Sequence, residues 1–304
     1  MVNKYIPLWF LLSAALGFLF LAGCRSSRET HIEKIKVVAT IPPLADFVRQ
    51  IGGERVSVTT LLTPGTSPHT FEPAPSQARA AEEADLIVRV GLDVDHWVDD
   101  LLPEGKRTVT AGRLEGIELI NEHLHEHHEE GHEHVGANPH IWLDPLYVKL
   151  IVTGIAEELS SIDTQGSSLY EKNRDRYHVR LDSLHIKIKV SLSDLPSRKY
   201  VSYHPAWVYF AARYGLERIG VIVESAGKEP SPRSLEQIIE DIKREGARMV
   251  FAEPQFSPQA AEVIADEAGV RVLFLDPLGT ENETYLELME RNLETFVEAL
   301  GNGG

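Results

Sequence analysis

Short β-branched runs alternate with stretches of helical spacing along most of this chain. Residues 36–41, KVVATI, are long enough for a buried strand and too short for a helix. Pro42 and Pro43 stop that run. Leu44, Phe47, Val48 and Ile51 then recur at the spacing of one helix face, and Gly52-Gly53 ends it. A second strand is expected over 55–62, followed by a turn-rich loop over 63–75. A helix capped by Ser76 runs to Glu83, and a third strand covers 85–90. A short helix over 95–102 and one or two further strands within 107–120 complete this half. After a polar interruption, 145–161 reads as a helix. Residues 167–195 carry a longer helical pattern without Gly or Pro, in which Leu169, Tyr177, Leu181, Leu184, Ile188 and Leu192 form one stripe. The second half repeats the first, with strands at 199–203, 217–223, 248–252 and 271–275. Helices lie between and after them at 205–214, 231–245, 258–268 and 282–300.

Strands alternating with helices predict parallel sheets covered on both faces. The fold class expected is α/β, with two similar domains, mostly parallel sheets, joined by a long rigid helix. That helix would span roughly 40 Å at 1.5 Å per residue. The expected boundaries are an N-terminal α/β domain over 36–160, containing a His/Glu-rich loop at 121–134, a linking helix over 167–195, and a C-terminal α/β domain over 196–304.

The first residues change the picture. Lys4 precedes an apolar run that ends in Leu21-Ala22-Gly23-Cys24, and the chain turns polar at once with Arg25 and Ser26. This resembles a bacterial lipoprotein signal over 1–23, with Cys24 lipidated and 24–35 as a tether. The protein is then expected outside the cytoplasm, anchored to the cell membrane, on the periplasmic side if the host has two membranes. Cys24 is the only cysteine in 304 residues, so no intrachain disulfide forms and any metal site must use His and carboxylates. A formal charge of −16 argues against a nucleic-acid partner, which needs clustered Lys and Arg.

Residues 121–145, NEHLHEHHEEGHEHVGANPHIWLDP, hold two kinds of metal-capable chemistry. His123, His125, His127, His128, His132 and His134 lie in a polar, repetitive run expected to be a mobile accessory metal loop. His140 is different, because Pro139, Ile141, Trp142 and Pro145 can hold it in place. Elsewhere, His204 and Asp276 each stand just past a predicted strand, and His69 lies in the loop after the second strand. In open α/β sheets ligands bind outside the carboxyl ends of strands. Each residue has a plainer reading as a surface, cap or turn residue. Asp144 reads as a cap and His96 as part of a solvated face. Glu72 is placed either to orient His69 by a hydrogen bond or to cap a turn.

PHTFEPAPSQ, NPHIWLDP, SYHPAWVYFAARYGL, FAEPQFSPQAAEVIADEAGV and FLDPLG occur in that order. Together they resemble the metal-binding lipoproteins of ATP-binding-cassette importers, the cluster A-I solute-binding proteins, from about residue 36 to 300. The resemblance implies one divalent ion between two α/β domains, held by His69, His140, His204 and Asp276, and a cognate ATP-binding-cassette permease as partner. Three imidazoles and one carboxylate suit Zn2+. Manganese-type members of the family carry a carboxylate where this chain has His204, so Zn2+ is the expected cargo and Mn2+ the alternative.

The expected function is therefore capture and delivery of Zn2+ by a monomeric lipoprotein that is not an enzyme. An extracytoplasmic zinc hydrolase would need an open coordination position and a general base. Glu72 could be offered as that base, but the four-ligand cage that the resemblance implies leaves no room for a substrate. Adhesion, described for some members of the family, would not use the four ligands.

Overall fold

The computed structural model describes residues 33–121, 136–224 and 229–301. Two four-stranded parallel sheets organise them. In the first, β1 (Ile35–Ala39), β2 (Val56–Thr60), β3 (Leu86–Arg89) and β4 (Thr108–Thr110) lie in the order β2-β1-β3-β4. In the second, β5 (Lys199–Ser202), β6 (Glu217–Val221), β7 (Met249–Ala252) and β8 (Arg271–Phe274) lie in the order β6-β5-β7-β8. The same winding is used twice. In each sheet the strand order reverses beside the first strand, between β1 and β3 and again between β5 and β7, which opens a crevice at their carboxyl ends. The interior strands β3 and β7 are buried along their whole length, as the near-continuous apolar runs LIVR and MVFA require of strands covered on both faces.

The helices are α1 (Pro42–Gly52), α2 (Pro75–Glu83), α3 (Pro145–Ile162), α4 (Ser167–Ser193), α5 (Val208–Tyr214), α6 (Pro232–Glu245), α7 (Gln259–Ala268) and α8 (Tyr285–Leu300). Their ends follow local chemistry. Asp144 caps α3 by accepting from Leu146 N at 2.9 Å. Ser231 caps α6, with Pro232 at its first position and Gly246 in the left-handed conformation at its end. Thr284 and Glu287 exchange hydrogen bonds at the start of α8.

Each sheet has an outer apolar cluster of its own, while one continuous core takes in the inner faces of both. The long helix α4 lies along that core. It packs against α1 and α3 on one side and against α5 and α8 on the other. Phe47 of α1 meets Tyr285 of α8 edge-on, with ring centroids 5.0 Å apart. The buried Asp46 carboxylate accepts from Tyr285 N at 2.9 Å, at the α8 N-terminus. Arg213 reaches from the end of α5 to the buried Asp144 carboxylate at 2.7 Å. The two halves are thus tied by apolar packing, a buried hydrogen bond and an ion pair.

Several expectations are corrected in detail. The stripe on α4 begins with Tyr170, which is fully buried and whose hydroxyl donates to Asp163 Oδ2 at 2.7 Å, whereas Leu169 points outward. Helix α2 starts at Pro75, and Gln77 rather than Ser76 ties its first turn by accepting from Ala74 N. Between 107 and 120 a single strand forms, followed by the 3-10 turn Ala111–Arg113. Helix α1 includes Pro42 and Pro43, whose missing N–H groups cost nothing in a first turn.

Candidate metal centre

Three histidines from distant parts of the chain converge. His69 lies in the 3-10 turn Pro68–Thr70, which follows β2. Ser67 Oγ accepts from His69 N at 3.4 Å and Trp97 Nε1 donates to Pro68 O at 2.9 Å. Phe71 packs edge-on against the same indole, ring centroids 4.8 Å apart. The turn is therefore fixed from both ends, and His69 is left half-buried at the crevice. His140 precedes the turn Ile141–Leu143, whose Trp142 is fully buried and donates to Pro277 O at 2.7 Å. His204 follows β5 in extended conformation, and Pro205 opens the next turn.

Nε2 of His140 lies 3.3 Å from Nε2 of His69 and 3.1 Å from Nε2 of His204. Two nitrogens bound at 2.0–2.1 Å to one tetrahedral zinc would be roughly 3.3 Å apart. The outer ring nitrogens decide what these contacts are. Asn138 Nδ2 donates to Pro205 O at 2.7 Å, so its Oδ1 faces His140. That oxygen accepts from His140 Nδ1 and from His140 N, both at 3.0 Å. Glu253 Oε1 accepts from His204 Nδ1 at 2.5 Å. In the neutral form with the proton on Nδ1, His140 presents its Nε2 lone pair toward Nε2 of His204, whose own Nδ1 is engaged by Glu253. Lone pairs facing one another repel unless a cation lies between them.

The surroundings favour neutral imidazole. Burial pushes His69 down to about 3, helped by His204 and then His96. Burial likewise holds His140 well below the usual histidine range, with His204 and His69 adding to the effect. The three rings enclose a cavity of about 10 Å³, walled also by Pro68, Trp142, Phe256 and Leu278. That is room for one atom-sized occupant. Glu253 is 1% exposed; its Oε1 is bonded to His204, while its Oε2 has no hydrogen-bond partner among the described residues, so the carboxylate behind His204 is only half satisfied. A buried carboxylate of this kind is costly without a positive charge nearby.

The other candidate residues divide. Asp276 follows β8 beside the cavity, but among the described residues the cluster with ligand atoms mutually within 4.8 Å contains His69, His140 and His204 alone. The Asp276 carboxylate is held elsewhere. Its Oδ1 accepts from Gln255 Nε2, Leu278 N and Gly279 N at 2.8–3.1 Å, and its Oδ2 from Arg291 at 3.2 Å. Glu72 does not orient His69: its side chain is exposed and makes no hydrogen bond among the described residues. His96 is exposed and bonds Asp93 O, and Asp144 is a helix cap. His123, His125, His127, His128, His132 and His134 lie outside the described residues, as does Cys24.

Sequence reasoning missed Glu253 and Asn138, which orient two of the imidazoles. Each had a signal. Glu253 directly follows β7, across the strand-order reversal from His204, and Asn138 stands two residues before a candidate ligand.

Comparison with known proteins places the chain among metal-binding relatives. The family model described as "ZnuA: Zinc-uptake complex component A periplasmic" matches residues 37–299. The zinc-binding lipoprotein AdcA of Streptococcus pneumoniae is 30% identical over 308 aligned positions, covering 97% of this chain. The chain spans 61% of that relative's length. A crystal structure of ZnuA superposes with a TM-score of 0.79 at 33% identity, covering 88% of this chain and 100% of the other. The Zn(II)-bound ZnuA-like domain of Streptococcus pneumoniae AdcA superposes with a TM-score of 0.71 at 28% identity, covering 88% and 99%.

Proposed function

The chain belongs to the ZnuA family, and from that premise we propose that it is an extracytoplasmic receptor that captures one Zn2+ between its two sheets and hands it to an ATP-binding-cassette permease. His69, His140 and His204 supply three imidazoles, and Asp276 supplies the fourth ligand on loading. The domain limits proposed are 36–160 and 196–304, with 167–195 as the link. Lipidation of Cys24 would hold the protein, as a monomer, at the membrane surface, and the histidines of the 121–134 loop would collect further, more weakly held ions.

The observation that carries this reading is the 3.1 and 3.3 Å spacing of Nε2 atoms whose outer nitrogens already face acceptors at His140 and His204. Zinc is favoured over manganese because three nitrogen donors suit the softer ion, while manganese prefers an oxygen-rich set. Capture and release without turnover is the proposed role.

The test is a competition titration of chelator-stripped protein with Zn2+. One tight site is expected. His140→Ala is expected to weaken it by more than about 100-fold, beyond the 10–100-fold that losing an orienting partner costs. Deleting residues 122–134 is expected to remove weaker ions and leave the tight site. Tight binding that survives combined replacement of His69, His140 and His204 by Ala would contradict the assignment.

A further inference from the structure

The Asp276 carboxylate is held by two unequal sets of donors. Oδ1 is saturated, accepting from the Gln255 amide at 2.8 Å, Gly279 N at 3.0 Å and Leu278 N at 3.1 Å. Among the described residues Oδ2 has one side-chain donor, the Arg291 guanidinium, at 3.2 Å. The backbone of the same residue is pinned independently, since Asn292 Oδ1 accepts from Asp276 N and Asn292 Nδ2 donates to Asp276 O, both at 2.8 Å. Asp276 is thus anchored through its main chain and one oxygen, while the other oxygen rests on a single, longer contact.

Arg291 itself has a second hold. Its Nε and one terminal nitrogen form a paired contact with Glu283, both at 2.9 Å. This bidentate geometry is the stronger of its two attachments. The Arg291 side chain is 45% exposed, whereas the Asp276 side chain is 8% exposed. Arg291 can therefore let go of Asp276 without losing its own charge partner, because Glu283 retains it.

We propose that Arg291 is a competitor for the metal-binding oxygen of Asp276, a latch that takes Oδ2 when the cation leaves and so lowers affinity and speeds release. This rests on the reading of His69, His140, His204 and Asp276 as the zinc ligands. Two effects point the same way. A guanidinium bonded to Oδ2 must be displaced before that oxygen can ligate, and its positive charge opposes a second cation nearby. The three donors on Oδ1 keep the carboxylate from swinging away during the exchange, so the group pivots about Oδ1 as Oδ2 passes between arginine and metal. Gln255 lies on the cavity wall, with Nε2 on Asp276 and its buried Oε1 without a hydrogen-bond partner among the described residues.

The experiment measures zinc release from the loaded full-length protein into excess chelator, together with equilibrium affinity by chelator competition. Arg291→Gln is expected to slow release and tighten binding by about 10-fold, at the lower end of the effects that groups bonded to metal ligands have. Arg291→Lys, which keeps the charge, is expected to stay within about twofold of the parent. The double variant Asp276→Asn, Arg291→Gln is expected to match Asp276→Asn, since no carboxylate is left to contest. Release by Arg291→Gln at the parent rate or faster would overturn the latch, as would an unchanged arginine effect in the Asp276→Asn background. These results are separable from failure of the ligand assignment, which is read from His140→Ala.

Discussion

At the residue scale the centre holds two imidazoles, His69 and His140, whose burial favours the neutral form. His69 and His140 are both depressed below the ordinary histidine value of about 6.5, chiefly by burial. The unfolded chain therefore binds more protons than the folded one at every pH below that value, until the folded groups also titrate. Stability contributed by these groups is present above pH ~6.5 and is lost as pH falls toward about 3, where His69 protonates in the fold. Each group removes up to ~1.4 kcal/mol per pH unit in that window. Urea midpoints of metal-free protein are expected to fall from pH 6.5 to 4.5, and His69→Gln is expected to make that fall shallower; an equal slope in both proteins would contradict it. The three histidines could be singled out from the sequence because they follow strands or sit in apolar motifs. Glu253 could not be ranked above other carboxylates, since its burial and its reach to His204 Nδ1 depend on β5 and β7 being neighbours. Glu72 misled for the converse reason: it is close in sequence to His69, but it lies past the 3-10 turn Pro68–Thr70 with its side chain exposed.

At the element scale, the features set by local rules were legible and those set by tertiary packing were not. The capping signals at Ser231 and the repeated strand pattern needed only neighbours along the chain. The stripe on α4 was legible in period but off by one residue at its start. Tyr170 and Leu169 are both apolar enough to serve, and the hydrogen bond to Asp163, itself paired with Arg55 at 2.6 Å, selects the tyrosine. The finished helix has two faces of similar hydrophobicity and different fate. Leu181 is fully buried in the shared core, while Ile186 is 59% exposed. Leu181→Ala is expected to cost about 2–5 kcal/mol in urea denaturation. Ile186→Ala is expected to stay within about 0.5 kcal/mol. Similar losses at the two positions would mean that α4 does not sit on the core as described.

At the scale of the molecule, two α/β halves share one core and one ion-sized cavity. Because α1, α4 and α8 pack in that continuous core, opening the crevice widely would expose apolar surface from both halves. Loading is therefore expected to move side chains and loops, above all around Asp276 and Arg291. Solution scattering should show a radius of gyration that changes by less than about 1 Å between metal-free and loaded protein. A change of several ångströms would contradict a core that holds both halves. The double α/β architecture was readable from the alternation of strands and helices. The continuity of the core was not, because no local pattern records which faces of two separate sheets turn toward each other. The most direct test of the central claim is anomalous diffraction at the zinc edge from crystals of the loaded protein. The account predicts one strong peak bonded at about 2.0–2.1 Å to Nε2 of His69, His140 and His204, with an oxygen of Asp276 completing the set. A peak away from those three nitrogens, or none in the crevice, would contradict it.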